Sequence, residues 1–148
     1  SIYVSIKGDQ IRDPVRSKFK LIIDEYNQSG PMAGILSAHK THPHSAWLVV
    51  ACDMPSLDKQ TLAQLIKERD SAFDATAFNS PKDSLPEPLC AIYEPHLLSG
   101  VLDNSKLLPS NSPRDLLLQS RVKIIKTKNP SALENTNYPA DDLSEIES

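Results

Sequence analysis

A carboxylate at the end of a buried strand can do metal and phosphate chemistry, and Asp53 occupies such a position. Ala51-Cys52-Asp53-Met54-Pro55 directly follows the apolar run Ala46-Trp47-Leu48-Val49-Val50. A short apolar run bounded by turn residues reads as a strand buried on both faces, as in a parallel sheet. Asp53 then sits where the strand leaves the sheet, and Pro55 stops the strand from continuing. Ligands of open α/β sheets bind beyond the carboxyl ends of the strands. A carboxylate there can hold a divalent metal against phosphate oxygens, because Mg²⁺ usually takes one or two carboxylates plus substrate phosphates. The plainer role for Asp53 is to cap the next helix or to hydrogen-bond locally, and the pentapeptide alone leaves both open.

Other residues with chemical potential read as structural. His39, His42 and His44 could be metal ligands by composition, but Pro43 and the lack of acidic or thiol partners favour a polar helix end and a solvated loop. Ser5, Ser37 and the cysteines have no neighbouring base, so packing or capping suits them. Cys52 and Cys90 lie in separate apolar runs and form no CxxC pair. Buried free thiols suit a reducing compartment.

The elements that must position Asp53 follow from patterning. Ile2-Tyr3-Val4-Ser5-Ile6 and Phe19-Lys20-Leu21-Ile22-Ile23 are strand candidates, and Asp9 to Lys18 is a short helix or turn. Gly30-Pro31 marks a turn, with Pro31 at the first position of a helix. Ser56 or Asp58 caps a helix that carries Leu57, Leu62, Leu65 and Ile66 on one face. A strand over Asp74–Phe78 precedes a Pro-rich loop, Asn79 to Pro88, where Pro81, Pro86 and Pro88 argue against regular structure. Leu89–Tyr93 is the next strand, stopped by Pro95, and residues 95–103 are helical. Ser112 caps a helix through Leu118, with Pro113 in its first turn, and Val122–Ile125 is a sixth strand. Asn135 to Asn137 form a loop, and Pro139 starts a terminal helix. Strands alternating with helices predict an α/β domain with a mostly parallel sheet.

The totals agree with one domain of 148 residues, long enough to bury about 70% of its extended surface. Hydrophobic content of 39% and charged content of 24% are ordinary for a soluble globular protein. A net charge of −3 gives no electrostatic case for nucleic acid or anionic membrane as the main partner. No apolar run approaches the ~18–20 residues of a membrane helix. A soluble, cytoplasmic protein is the expectation.

Four segments in order resemble the molybdenum cofactor guanylyltransferases, of the nucleotidyltransferase group with the GT-A-like, three-layer Rossmann-like fold. They are Gly30-Pro31-Met32-Ala33-Gly34-Ile35, Ala51-Cys52-Asp53-Met54-Pro55, Glu87-Pro88-Leu89-Cys90-Ala91-Ile92-Tyr93 and Asn135-Thr136-Asn137-Tyr138-Pro139. The resemblance implies that Asp53 is the magnesium-binding aspartate. It implies that Gly30 and Pro31 approach the guanosine, that Asp24 lies at the edge of the nucleotide pocket, and that Lys7 is near a base-contacting position. It places Asn135, Asn137 and Arg114 toward molybdopterin. An alternate-residue pair on an extended segment faces one side, so both amides of the asparagine pair can address one ligand; a loop and helix cap is the plainer reading. For Arg114 it is a surface ion pair with Asp115 or Asp103.

The implied reaction is Mg²⁺-dependent transfer of GMP from GTP to molybdopterin, with other molybdenum cofactor proteins as partners. Related cytidylyl- or adenylyltransferases, or a non-catalytic module that binds a pathway partner, are the alternatives. The family also begins with a strand running into Leu-Ala-Gly-Gly and then an Arg-Met-Gly-x-Asp-Lys stretch that hold the triphosphate. Neither is present here, and with 4 glycines there is no other phosphate-cradling loop. The chain starts at what resembles the family's second strand and reads as an N-terminally truncated fragment. The family's first strand lies between those matching Ile2–Ile6 and Trp47–Ala51, so its loss predicts two unpaired edges inside the sheet.

Overall fold

The structure, a computed structural model, describes residues 3–6, 20–23, 31–51, 53–103 and 112–134. The Trp47 run forms β3 (Trp47–Val50), which follows β1 (Tyr3–Ile6) and β2 (Lys20–Ile23). β4 (Ala75–Asn79), β5 (Pro86–Tyr93) and β6 (Val122–Ile125) join β3 in a four-stranded sheet of order β3-β5-β4-β6. β3, β4 and β6 run one way, whereas β5 is antiparallel to both of its neighbours. The sheet is therefore mixed: three of its four described strands run one way, as a mostly parallel sheet requires, and β5 opposes them. The reason is the connection 80–85, which is too short for a parallel crossover and closes a hairpin.

That hairpin also corrects the reading of residues 79–88 as irregular. β5 begins at Pro86, and the pairing with β4 slips between Ala77 and Asn79. Prolines are tolerated where the ladder is broken in this way, because no regular amide partner is lost.

Helices cover both faces of the sheet. On one side α1 (Pro31–Thr41), α3 (Pro95–Asp103) and α4 (Pro113–Leu118) enclose a core of Met32, Ile35, Leu36, Leu98, Leu116 and Leu117 against Ala75, Ala77, Ala91 and Tyr93. On the other, α2 (Lys59–Glu68) sets Leu65 against Phe78, Cys90, Ile92 and Ile125. Alternate residues of β4 feed the two cores: Ala75 and Ala77 serve one, and Phe78 serves the other. This is the three-layer arrangement expected. Within α2, Leu65 is fully buried but Ile66 is 57% exposed, so Ile66 falls outside the apolar face assigned to it.

β1 and β2 form a separate parallel pair. Among the described residues no strand joins that pair to β3. α1 packs against β1, β2 and β3. Eight successive residues of α1, Met32 to His39, are buried, as suits a helix enclosed on every side.

Candidate functional site

β3, β4 and β6 all direct their carboxyl ends toward one rim of the sheet. Asp53 lies at that rim, half-buried in the turn after β3. Two contacts fix the turn. The Ala51 amide donates to the Leu89 carbonyl at 3.0 Å, holding the strand end on β5. Met54 is buried in the α2-side core, and its carbonyl accepts the Leu57 amide at 3.3 Å. Asp58 then caps α2 by accepting the Thr61 amide at 2.7 Å, so capping falls to Asp58 and not to Asp53.

Beside this rim the β4–β5 turn, the start of α4 and the residues after β6 enclose a cavity of about 600 Å³. Ser80, Lys82, Asp83, Glu87, Arg114 and Glu134 supply its polar groups. The turn is tightly determined. The Ser80 amide donates to the Leu85 carbonyl at 2.8 Å, the Leu85 amide donates to Asp83 Oδ1 at 3.1 Å, and Ser84 takes a left-handed φ of 59°. Asp83 is thereby aimed at Arg114, whose Nη1 meets Asp83 Oδ2 at 2.6 Å. The ion-pair partner of Arg114 is thus Asp83 from across the cavity, which corrects the expected pairing with Asp115 or Asp103. The Leu85 amide, and then the Arg114 guanidinium, hold the Asp83 carboxyl below its ordinary range.

Glu87 is the buried member of the group, 6% exposed, and accepts the Leu89 amide at 3.2 Å. Burial holds its carboxyl above the usual carboxylate range, against the pull of the Leu89 amide and Arg114. The Asp83 and Asp53 charges push in the same direction as burial. Asp53 and Glu87 therefore share one electrostatic environment. Asp53 offers the hard oxygen donor that Mg²⁺ takes, at a rim where phosphate has room, so the residues present fit that ion. Among the described residues no group of three or more His, Cys, Asp or Glu is arranged around a metal. His39 instead meets Ser99 Oγ at 3.0 Å and ties α1 to α3. The Cys90 thiol is pushed up to about 12 by burial, which removes it as a nucleophile.

Of the residues singled out in the sequence, Arg114 lines this cavity, Asp53 lies near enough for its charge to act on Glu87, and Pro31 is the exposed first residue of α1. Lys7, Asp24, Gly30, Asn135 and Asn137 lie outside the described residues, as do the 9–18 segment and the terminal helix expected from Pro139. The sequence reading missed Asp83, Glu87 and Glu134. One signal was available for Glu87: a charged residue between two prolines at the head of an apolar strand.

A second hollow of about 350 Å³ lies between α2 and the residues after β6. Several of its polar groups are engaged within the fold: Asp58 accepts from Asn129 Nδ2 at 3.1 Å, and Gln64 donates to the Lys126 carbonyl at 3.0 Å. The cavity beside Asp53 is the better candidate.

A family model described as MobA-like NTP transferase domain matches residues 1–123. A molybdenum cofactor biosynthesis bifunctional protein of Synechocystis sp. is 26% identical over 140 residues, which is 95% of this chain and 40% of that protein. A probable molybdenum cofactor guanylyltransferase of Natronomonas pharaonis is 30% identical over 125 residues, 80% of this chain and 60% of the relative. The chain thus spans between 40% and 60% of the length of these two curated relatives. The crystal structure of molybdopterin-guanine dinucleotide biosynthesis protein A from Archaeoglobus fulgidus superposes with a TM-score of 0.73 at 25% identity, covering 98% of this chain and 76% of that one. A protein from Aquifex aeolicus shares the fold at a TM-score of 0.74 and 18% identity, covering 93% of this chain and 71% of that one.

Proposed function

The chain belongs to the MobA-like NTP transferase domain family, and from that membership we propose that it serves guanylyl transfer in molybdenum cofactor synthesis, GTP being the nucleotide donor and molybdopterin the acceptor. The observation that carries the reading is the place of Asp53: a carboxylate at the carboxyl-end rim of the sheet, beside a polar cavity that holds a guanidinium. An oxygen of the terminal phosphate of molybdopterin attacks the α-phosphorus of GTP. The bond from that phosphorus to its bridging oxygen breaks, and pyrophosphate leaves. Asp53 would hold Mg²⁺, and the bound ion would offset charge on the α- and β-phosphate oxygens.

The remaining work is positioning and charge placement, as is general for phosphoryl chemistry. Arg114 addresses the molybdopterin phosphate from the wall of the cavity, and Asn135 and Asn137 address the same substrate. Asp24, Gly30, Pro31 and Lys7 belong to the nucleotide side. The attacking phosphate is already ionised, so no protein nucleophile takes part.

Asp53→Ala tests the reading. Losing a cation-holding carboxylate is worth about 4 kcal/mol of barrier, a loss of about a thousandfold in transfer, with the far-ultraviolet dichroism unchanged. Full activity in that variant would remove Asp53 from the chemistry. The competing nucleotide is decided by offering labelled GTP and CTP together: incorporation of CMP alone would make the chain a cytidylyltransferase.

A further inference from the structure

We infer that Asp83 is a built-in competitor for Arg114: it holds the guanidinium before substrate arrives, gives way to the acceptor's phosphomonoester, and takes Arg114 back once that phosphate has reacted. The inference rests on the reading of Arg114 as the group that meets the molybdopterin phosphate, and it adds the residue that sets how tightly that phosphate is held.

The two oxygens of Asp83 have separate jobs. Oδ1 accepts the Leu85 amide at 3.1 Å, while Oδ2 meets Arg114 Nη1 at 2.6 Å. The first bond belongs to a turn that closes without Arg114. Within it the Ser84 amide donates to the Ser80 carbonyl at 2.9 Å, and the Ser80 amide donates to the Leu85 carbonyl at 2.8 Å. Ser84 is held at a left-handed φ of 59°, which persists in a non-glycine residue only where its surroundings over-determine it. The turn therefore presents Asp83 to the cavity, and Asp83 stays there when Arg114 leaves it.

The bond to Arg114 is readily given up. It joins one nitrogen to one oxygen, and the two side chains are 34% and 33% exposed. Water screens such a pair, which makes it weak. A phosphate offers the same guanidinium two parallel, charge-assisted bonds. A displaced Asp83 keeps the Leu85 amide and gains water, so it loses little. Asp83, Glu87 and Glu134 line the cavity with Lys82 and Arg114, so an anion that gains no hold on a cation is repelled there.

The reaction changes which anion wins. A phosphomonoester carries about −1.5 to −2 charge at pH 7. One of its oxygens becomes the bridge to the α-phosphorus as the bond from that phosphorus to pyrophosphate breaks. The acceptor's own phosphorus then keeps two terminal oxygens that share one charge. Arg114 now holds a weaker anion, while Asp83 stands beside it as a tethered rival at high effective concentration. Its return to Arg114 frees the phosphate end of the product.

A double-mutant cycle, read by titration calorimetry on the full chain, tests this without turnover. The probes are phenyl phosphate for the acceptor's monoester and methyl phenyl phosphate for the singly charged product link. Asp83→Asn retains an acceptor for the Leu85 amide and removes the rival for Arg114. It is expected to tighten both probes about threefold or more, the scale of an exposed pair. Arg114→Ala alone should weaken phenyl phosphate about tenfold, and in its presence the gain from Asp83→Asn should vanish. If Asp83→Asn binds within about twofold of the parent while Arg114→Ala still weakens the probe, the inference falls and the functional reading stands. A gain that survives in the Arg114→Ala background also overturns it, because Asp83 would then act only as a repelling charge. If Arg114→Ala leaves phenyl phosphate binding unchanged, or the parent binds none, the reading of Arg114 falls with the inference. Should Asp83→Asn not fold, Asp83→Ser carries the same expectations, its hydroxyl accepting the Leu85 amide.

Discussion

Arg114 shows how little a residue's type says until its partner is known. Its ion pair with Asp83 is about one-third exposed at both ends, and such pairs contribute ~0–1 kcal/mol to stability. The fold gains little from Arg114, which leaves it available for the role proposed above, meeting a substrate phosphate in competition with Asp83. A phosphate is favoured in that competition, because a guanidinium matches it with parallel, charge-assisted hydrogen bonds. Arg114→Ala is therefore expected to leave the urea midpoint nearly unchanged while raising KM for molybdopterin about tenfold, the scale of one lost bond to a charged group. The KM for GTP should stay where it is. An equal rise for both substrates, or a collapse of stability, would return Arg114 to a structural role. Cys90 is the opposite case: its burial and raised pKa, about 12, agree with the packing role expected of it.

Elements were legible wherever their signals were local. Pro31 and Pro113 open helices, Asp58 and Ser112 cap them, and the Trp47 run is a strand, all as the residues predict. The start of β5 was hidden because Pro86 and Pro88 sit in a bulged stretch that asks for no regular ladder. The exposure of Ile66 was hidden because helical period alone cannot locate the edge of an apolar face. At the site, Asp53 could be found from the strand that ends before it. Asp83, Glu87 and Glu134 come together only through a hairpin and an antiparallel register, which couple residues far apart in the chain. The α1–α3 contact has its own consequence for pH. His39 is 2% exposed and bonded to Ser99, and burial first, then the nearby His44 charge, holds its pKa below 6.5. The unfolded chain thus takes up the proton more readily than the folded one, so stability is full above pH ~6.5 and falls as pH drops below it. Thermal melts should be level from pH 8 to about 7 and decline toward pH 5. His39→Gln, which keeps a partner for Ser99, should flatten that decline; an unaltered slope would assign it to other groups.

At the scale of the whole molecule the sheet has a chemical end and a structural end. The carboxyl ends of β3, β4 and β6 meet at Asp53 and the cavity. At the opposite end Tyr93 pairs with Trp47, and the next residue, Glu94, is 1% exposed. Arg69, at the C-cap of α2, clamps Glu94 with two bonds of 2.9 and 2.8 Å, so one ion pair joins the helix on one face of the sheet to the start of α3 on the other. Glu94 itself also accepts the Leu97 amide at its carbonyl and donates its own amide to Asp74, which fixes it in place. Removing the arginine leaves a buried carboxylate without its cation, but Arg69 is 43% exposed and water screens the pair, so the cost is about 1–2 kcal/mol, below that of a fully buried pair. Arg69→Ala should therefore lower the unfolding free energy by that amount in urea titrations. Arg69→Met with Glu94→Leu should recover most of it, because well-packed apolar replacements of a buried pair are often neutral or better. Neither variant should change Mg²⁺ affinity, since the pair lies at the far end of the strands from Asp53. A loss of Mg²⁺ binding in the stable double variant would mean that the two ends are coupled through β5, and the division of the sheet into a structural and a chemical end would fail.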